Sequence, residues 1–384
     1  MKQWYKDICC PMAMGLMVSL MGFMVGCRKD HEPILPGVIT GFPANLHAQI
    51  KGFYLVNEGN MHMNRASLDY FDYLTGTYHQ HIFSSINPEV TLGLGDVAND
   101  VGVYGSKLYI VVNASNKIEV LEAKTAKRMK MISLPNCRSI IFHQGKAYVT
   151  AYLGTIGDAN APNGIVAEID TATLEIKRRV EVGRQPEELV AVNDQLYVAN
   201  SGGYSPSNYE NTVSVVDLVT FKERQRIPVA INLHRMKLDA DGDIYVSSRG
   251  NAMDIPSSLS VIDTKSNRIK KKFNIPVSGL AISGDRAYVY TSSFSYETGE
   301  TSVGYRVIDV KNEQLLEGSF IKDGTEKDIK RPYGIAINEE TKEILVTDAR
   351  DYVSPGKLFC YGPDGILRWS VTTGDIPTQC AFIY

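Results

Sequence analysis

One phrase returns seven times along this chain. It reads FYLVNEGN from Phe53, LYIVVNASN from Leu108, AYVTAYLGT from Ala147 and LYVANSGGY from Leu196, then IYVSSRGN from Ile244, AYVYTSSF from Ala287 and ILVTDARDY from Ile344. Each copy is a short β-branched and aromatic run that breaks into Asn, Ser, Gly and Tyr. A second apolar run follows, ending at Asp72, Glu122, Asp170, Asp217, Asp263, Asp309 and Gly362, landmarks that lie 46 to 53 residues apart. Self-similarity at this period, with several short strands per repeat, predicts an all-β chain folded as a β-propeller.

The fourth unit is the clearest copy. QPEELVAV, QLYVAN, NTVSVVD and KERQRIPV read as four antiparallel strands, A to D, joined by turns. A strand packed between neighbouring blades has both faces buried, so most of its residues are apolar. The acid that recurs after strand C sits where a tight turn to strand D is needed, and an Asp carboxylate can bond backbone N–H groups two residues on. These acids are therefore expected to fix turns, not to form a charge ring or a metal site.

Strand A is recognisable as PNCRSIIF, QPEELVAV, NLHRMKLD, PVSGLAIS and RPYGIAIN before the third to seventh units, and as the degenerate GDVANDVGVYG before the second. The first unit has no good match upstream of Phe53. Pro377–Tyr384 supplies the missing piece, so the C-terminal strand is expected to complete the first blade and close the ring. The fold class is a seven-bladed propeller of four-stranded antiparallel blades. Closure leaves no long sheet edge exposed.

The 384 residues then form one domain behind an N-terminal leader. Lys2 and Lys6 precede a Met-rich apolar stretch, Pro11 to Val25, and then Gly26-Cys27. A charged start, a short apolar core and a small residue before the cut describe a secretory signal, residues 1–26, whose core falls short of the roughly 20 residues of a membrane span. Met24-Val25-Gly26-Cys27 resembles a bacterial lipobox, with Met24 where Leu is usual, which implies lipidation of Cys27 and anchoring in a membrane. Arg28-Lys29-Asp30-His31-Glu32 resembles the surface-export signal of Bacteroidetes lipoproteins. Residues 27–50 are read as the lipidated N-terminus and linker, and 51–384 as the propeller. Cys9 and Cys10 leave with the signal. The remaining Cys137, Cys360 and Cys380 are odd in number, lack metal-like spacing and are expected to be small apolar fillers. With 40 basic against 43 acidic residues and no basic run, nucleic acid is excluded as a partner.

In a propeller the B–C turns and the turns leading into strand A share one face. Here both sets diverge between copies and are rich in Tyr, Asn, Ser, Gly and Arg, the composition of a binding surface on a rigid scaffold. Candidate ligand-binding residues are Asn57, Asn60, Asn99, Asn113, Arg138, Tyr152, Arg184, Asn200, Tyr204, Tyr209, Arg249, Phe294, Tyr296, Arg331, Tyr333, Arg350, Tyr352 and Gln379. The opposite face carries short turns, VNDQ, DADGD and ISGDR, read as structural. No HExxH, GxSxG, paired-Cys or phosphate-cradling motif occurs in a fitting context, so no catalytic residue, resident metal or required cofactor is expected. A metal set on this face would have to draw on His62 and His234 with Glu58 or Asp348.

The unit QPEELVAVNDQLYVANSGG…NTVSVVDLVT resembles the YVTN/YncE-type propeller repeat over nearly all of the chain beyond the leader. With the lipobox, the RKDHE signal and the opening YLVNEGN, the arrangement resembles the BtuG-type surface lipoproteins of Bacteroides. That resemblance implies a non-enzymatic role at the outer-membrane surface: capture of cobalamin (vitamin B12) as a transported ligand and delivery to a BtuB-type TonB-dependent transporter. A glycan- or peptide-binding propeller, a propeller lactonase or lyase, and an adhesion or scaffolding role using the ring's side are the alternatives left open by the residues themselves.

Overall fold

Strand B of each blade explains why the chain adopts this architecture. Gly52–Asn57 is buried at every position, and its side chains alternate between two apolar clusters. Phe53 and Leu55 pack towards one neighbouring blade, and Tyr54 and Val56 towards the other. The same alternation places Leu108, Ile110 and Val112 in one cluster and Tyr109 and Val111 in the next. A strand with two apolar faces is stable only when both are covered, so each blade needs two neighbours.

The computed structural model describes residues 35–155, 158, 160–205, 208–294 and 301–384. Among them are seven antiparallel sheets, and a separate apolar cluster lies between each adjacent pair of blades. The proposed signal segment, Cys27 and Tyr296 lie outside the described residues. The described residues form one compact unit, and no helix among them is long and apolar enough to cross a membrane.

Blades two to seven run in sequence order, each beginning with its inner strand: Ala98–Tyr104, Cys137–His143, Pro186–Val192, Leu233–Leu238, Gly279–Ser283 and Pro332–Ile337. The inner strand of blade one is Pro377–Ile383, which pairs antiparallel with Gly52–Asn57 in the register Phe53↔Phe382 and Leu55↔Cys380. The ring therefore closes through its C-terminal strand. One detail departs from expectation. Within the segment read as linker, Gly37–Ile39 pairs with the outer strand Thr77–Gln80, giving blade one a fifth strand. A three-residue run, with Val38 exposed between half-buried Gly37 and Ile39, carries too little periodicity to be read as a strand in advance.

The recurring acids are turn formers. Asp72, Asp170, Asp217, Asp263 and Asp309 accept backbone N–H groups two or three residues on, at 2.7–2.9 Å. On the same face Asp239 accepts the N–H groups of Asp241 and Asp243, fixing the DADGD turn. Among the described residues Cys137, Cys360 and Cys380 are free, the first two buried and Cys380 partly so, and burial pushes the Cys137 and Cys380 thiols up to about 12.

Candidate functional site

At the start of strand A in five blades the chain turns through a left-handed residue: Val97, Asn136, Gln185, Asn232 and Ile376, with φ between 47° and 56°. Asn tolerates this region; β-branched Val and Ile do so only under constraint from their surroundings. The two constrained residues, Val97 and Ile376, both border a wide crater on this face. Its volume is about 1480 Å³, and its wall is built from the first residues of the inner strands and from the B–C loops.

The wall holds its charge in shared groups. Glu187 of blade four accepts from Arg138 of blade three at 3.1 Å, from Arg249 of blade five at 3.2 Å and from the Tyr152 hydroxyl at 2.7 Å. Burial opposes its ionisation, but Arg138 and Arg249 outweigh burial and hold the carboxyl down at about 2. Its neighbour Glu188 faces Arg235 and Lys237, both at 2.9 Å, and also accepts the Met236 N–H at 2.8 Å. Here too burial is outweighed, by Lys237 and then Arg235, and the carboxyl is lowered.

Two other acids behave in the opposite way. Glu58, from the B–C loop of blade one, accepts the Tyr333 hydroxyl at 2.9 Å and the Asn99 amide at 3.2 Å. Burial raises it, with Arg138 and the Tyr333 bond pulling against that shift. Asp100 accepts the Ser139 hydroxyl at 2.6 Å and the Ile140 N–H at 2.9 Å, and burial raises it as well. A ring of larger side chains surrounds this polar wall: Met61, Tyr204, Met253, Ile255 and Phe294 are all exposed, Met253 at 80 %.

Of the candidate residues, Asn99, Arg138, Tyr204, Tyr209, Arg249, Phe294, Tyr333 and Tyr352 line the crater. Tyr152 is fully buried, its ring beneath the Arg138 guanidinium at 5.2 Å, so it supports the wall without reaching the opening. Asn57, Asn113 and Asn200 are corrections. They close strand B and are buried, and their amides bond inward to Ser67, to the Cys137 carbonyl, and to Gly183 and Ser214 respectively. Arg331 lies over the Tyr352 ring at 4.5 Å, Arg184 pairs with Glu210 at 3.1 Å, and Arg350 donates to the Pro355 carbonyl at 3.2 Å. Asn60 and Gln379 are half-buried and outside the lining.

Asp100, Glu187, Glu188 and Tyr290, which loop composition does not single out, also line the crater, as do Arg235 and the two residues considered above only for a metal set, Glu58 and His234. A usable signal existed in QPEEL: two adjacent acids opening an inner strand cannot both be blade packing. Among the described residues no group of three or more His, Cys, Asp or Glu is gathered to hold a metal. Asp348, considered as one such ligand, accepts the N–H groups of Lys330, Arg331 and Arg350.

Residues 51–355 match the family described as "Domain of unknown function (DUF5074)". No curated protein matches the chain. Among solved structures, the chain is similar to a quinonprotein alcohol dehydrogenase-like protein from Bacteroides thetaiotaomicron, with 17% identity over 86% of this chain and 78% of that one and a TM-score of 0.61. A hypothetical selenium-binding protein from Sulfolobus tokodaii has 13% identity over 89% and 96% of the two chains and a TM-score of 0.64. The hydrazine synthase of Kuenenia stuttgartiensis has 15% identity over 70% and 77% and a TM-score of 0.57. At such identities the likeness is one of fold alone.

Proposed function

The chain belongs to the DUF5074 family, and we propose that it is a non-enzymatic receptor whose crater captures a bulky ligand, cobalamin, at the outer-membrane surface. In this reading lipidated Cys27 tethers the ring, and the ligand passes to a BtuB-type TonB-dependent transporter. The observation that carries the reading is the crater itself. About 1480 Å³ exceeds the roughly 300–1,000 Å³ of a pocket for a drug-sized molecule. Its walls are the ends of inner strands, fixed by packing on both sides, so little conformational freedom is lost on binding.

The lining suits a large ring bearing amides. Asn99, Arg138, Arg249, Tyr333 and the serines of blade six offer donors and acceptors at many angles, while Tyr204, Tyr352, Phe294 and Met253 offer flat or adaptable apolar contact. Recognition is expected through many such contacts. Ligation of cobalt by His234 would instead give a visible-band shift on binding that His234→Asn removes. The proposal is tested by gel filtration of residues 33–384 with cyanocobalamin. Co-elution of the cofactor's visible absorbance with the protein supports it, and complete separation of the two contradicts it.

A second reading draws on Glu58. A carboxyl raised by burial and bonded to Tyr333 is the environment of a general acid, as a lactonase or lyase would need. Turnover of a lactone panel that is lost in Glu58→Gln would favour that reading over capture.

A further inference from the structure

Resting on the crater as the binding site, we propose that Arg249, Arg235 and His234 form an anion subsite on its blade-five wall, which takes an oxyanion, carboxylate or phosphate, carried by the ligand. The carboxylates of this wall are shared between cations. Glu187 serves two cations, Arg138 and Arg249, and Glu188 serves two more, Arg235 and Lys237. Two acids against four bases leave this wall with an excess of positive charge, although the chain as a whole carries −3.

The other acids of the wall are engaged elsewhere. Glu58 holds Tyr333 and Asn99, Asp100 holds Ser139 and the Ile140 N–H, and burial disfavours the charge of both. Tyr290 donates its hydroxyl to the Tyr333 carbonyl and adds no charge here. Among the described residues the Arg249 side chain donates only through Nη1 to Glu187, and it is 36% exposed, so its remaining guanidinium N–H groups are open to the crater. The His234 ring makes no hydrogen bond among the described residues, and it lines the same crater.

His234 also reports the local field. Burial lowers it well below the ordinary histidine range, and the charges that add to this, Arg249, Arg235, Arg138 and Lys237, are all positive. An anion bound beside Arg249 and His234 would offset that field and favour the imidazolium. Arginine is suited to the task because its planar fork matches both carboxylate and phosphate.

The test is the pH titration of His234 followed by carbon-13 NMR of histidine-labelled protein, the resonance being assigned with His234→Asn. Inorganic phosphate is compared with chloride at equal ionic strength, which separates binding from screening. The expected result is a midpoint raised by about half a unit or more in phosphate, lost in Arg249→Gln and partly kept in Arg249→Lys. A midpoint equal in phosphate and chloride, or a phosphate effect that survives Arg249→Gln, overturns the subsite. Acetate as a third arm assigns the class: a response to both anions means any oxyanion, and a response to phosphate alone means phosphate. The measurement needs no cobalamin. Phosphate binding without cobalamin binding would keep the subsite and remove the vitamin, and the converse would keep the receptor and remove the subsite.

Discussion

On the face that carries the C–D turns, Asp72, Asp170, Asp217, Asp263 and Asp309 each bond N–H groups of their own turn. On the crater face, Glu187 joins Arg138 of the preceding blade to Arg249 of the following one. The turn acids repeat because every blade needs the same local stop. The crater acids do not repeat, because each answers to neighbours that differ. Regularity in this molecule marks what folds it, and divergence marks what distinguishes the face where a ligand can sit.

The sharpest way to break that contrast is to remove the shared acid. Glu187→Gln leaves Arg138 and Arg249 without a counter-charge in a buried site, and a loss of about 3 kcal/mol in denaturant unfolding is expected. Its folded carboxyl lies at about 2, below the ordinary 4.5, so its stabilisation is present above the ordinary value and is lost as pH falls towards 2. The variant should therefore show a flatter decline of stability across that window than the parent protein. A stability unchanged at neutral pH would show that the two arginines do not depend on it.

Glu58→Gln should act with the opposite sign. Burial raises the folded carboxyl above its unfolded value, so its favourable contribution exists at low pH and is lost as pH rises through the folded value. A Gln amide can still accept from Tyr333 without carrying charge. The variant is expected to melt at a higher temperature than the parent at neutral pH, with the gain vanishing in acid. A lower melting temperature at both pH values would show that the charged form is needed in the fold.

Smaller effects are expected on the other face. Asp217, held down at about 2 chiefly by the Thr220 N–H and hydroxyl, fixes one exposed turn of several. Asp217→Ala should lower the melting temperature by less than Glu187→Gln does and leave ligand binding as it was. A binding defect would erase the distinction between the faces. The least effect is expected from the thiols. Cys137, Cys360 and Cys380 are raised by burial, so native protein should resist iodoacetamide and react only after unfolding.

The blades were legible in the sequence because their signal is redundant. Seven copies of one phrase, with a recognisable strand A before six of them, set the strands, their order and the closure of the first blade by the C-terminal segment. The crater was legible only in outline. Loop composition pointed to the face that carries the crater and to Arg138, Arg249, Tyr333 and Tyr352 in its lining, but composition does not say which way a side chain turns. Asn57, Asn113 and Asn200 look like Tyr204 in a string of loop residues, yet they stand at the last position of strand B or just beyond it and bond inward. Glu187 and Glu188 were hidden for the reverse reason, since they stand within a strand and their partners come from blades about 50 residues away. Pairings at that separation are set by the closed ring, which local sequence does not encode.

The crater, and not the opposite face, is the proposed seat of a bulky ligand. Calorimetric titration of cyanocobalamin into residues 33–384 and into two variants, Tyr333→Ala on the crater wall and Asp217→Ala on the far face, decides between the two faces. One site with sub-micromolar affinity is expected in the parent protein, at least about tenfold weaker in Tyr333→Ala and unchanged in Asp217→Ala. No binding below micromolar concentration in the parent, or binding that Tyr333→Ala leaves intact while Asp217→Ala weakens it, would contradict the claim.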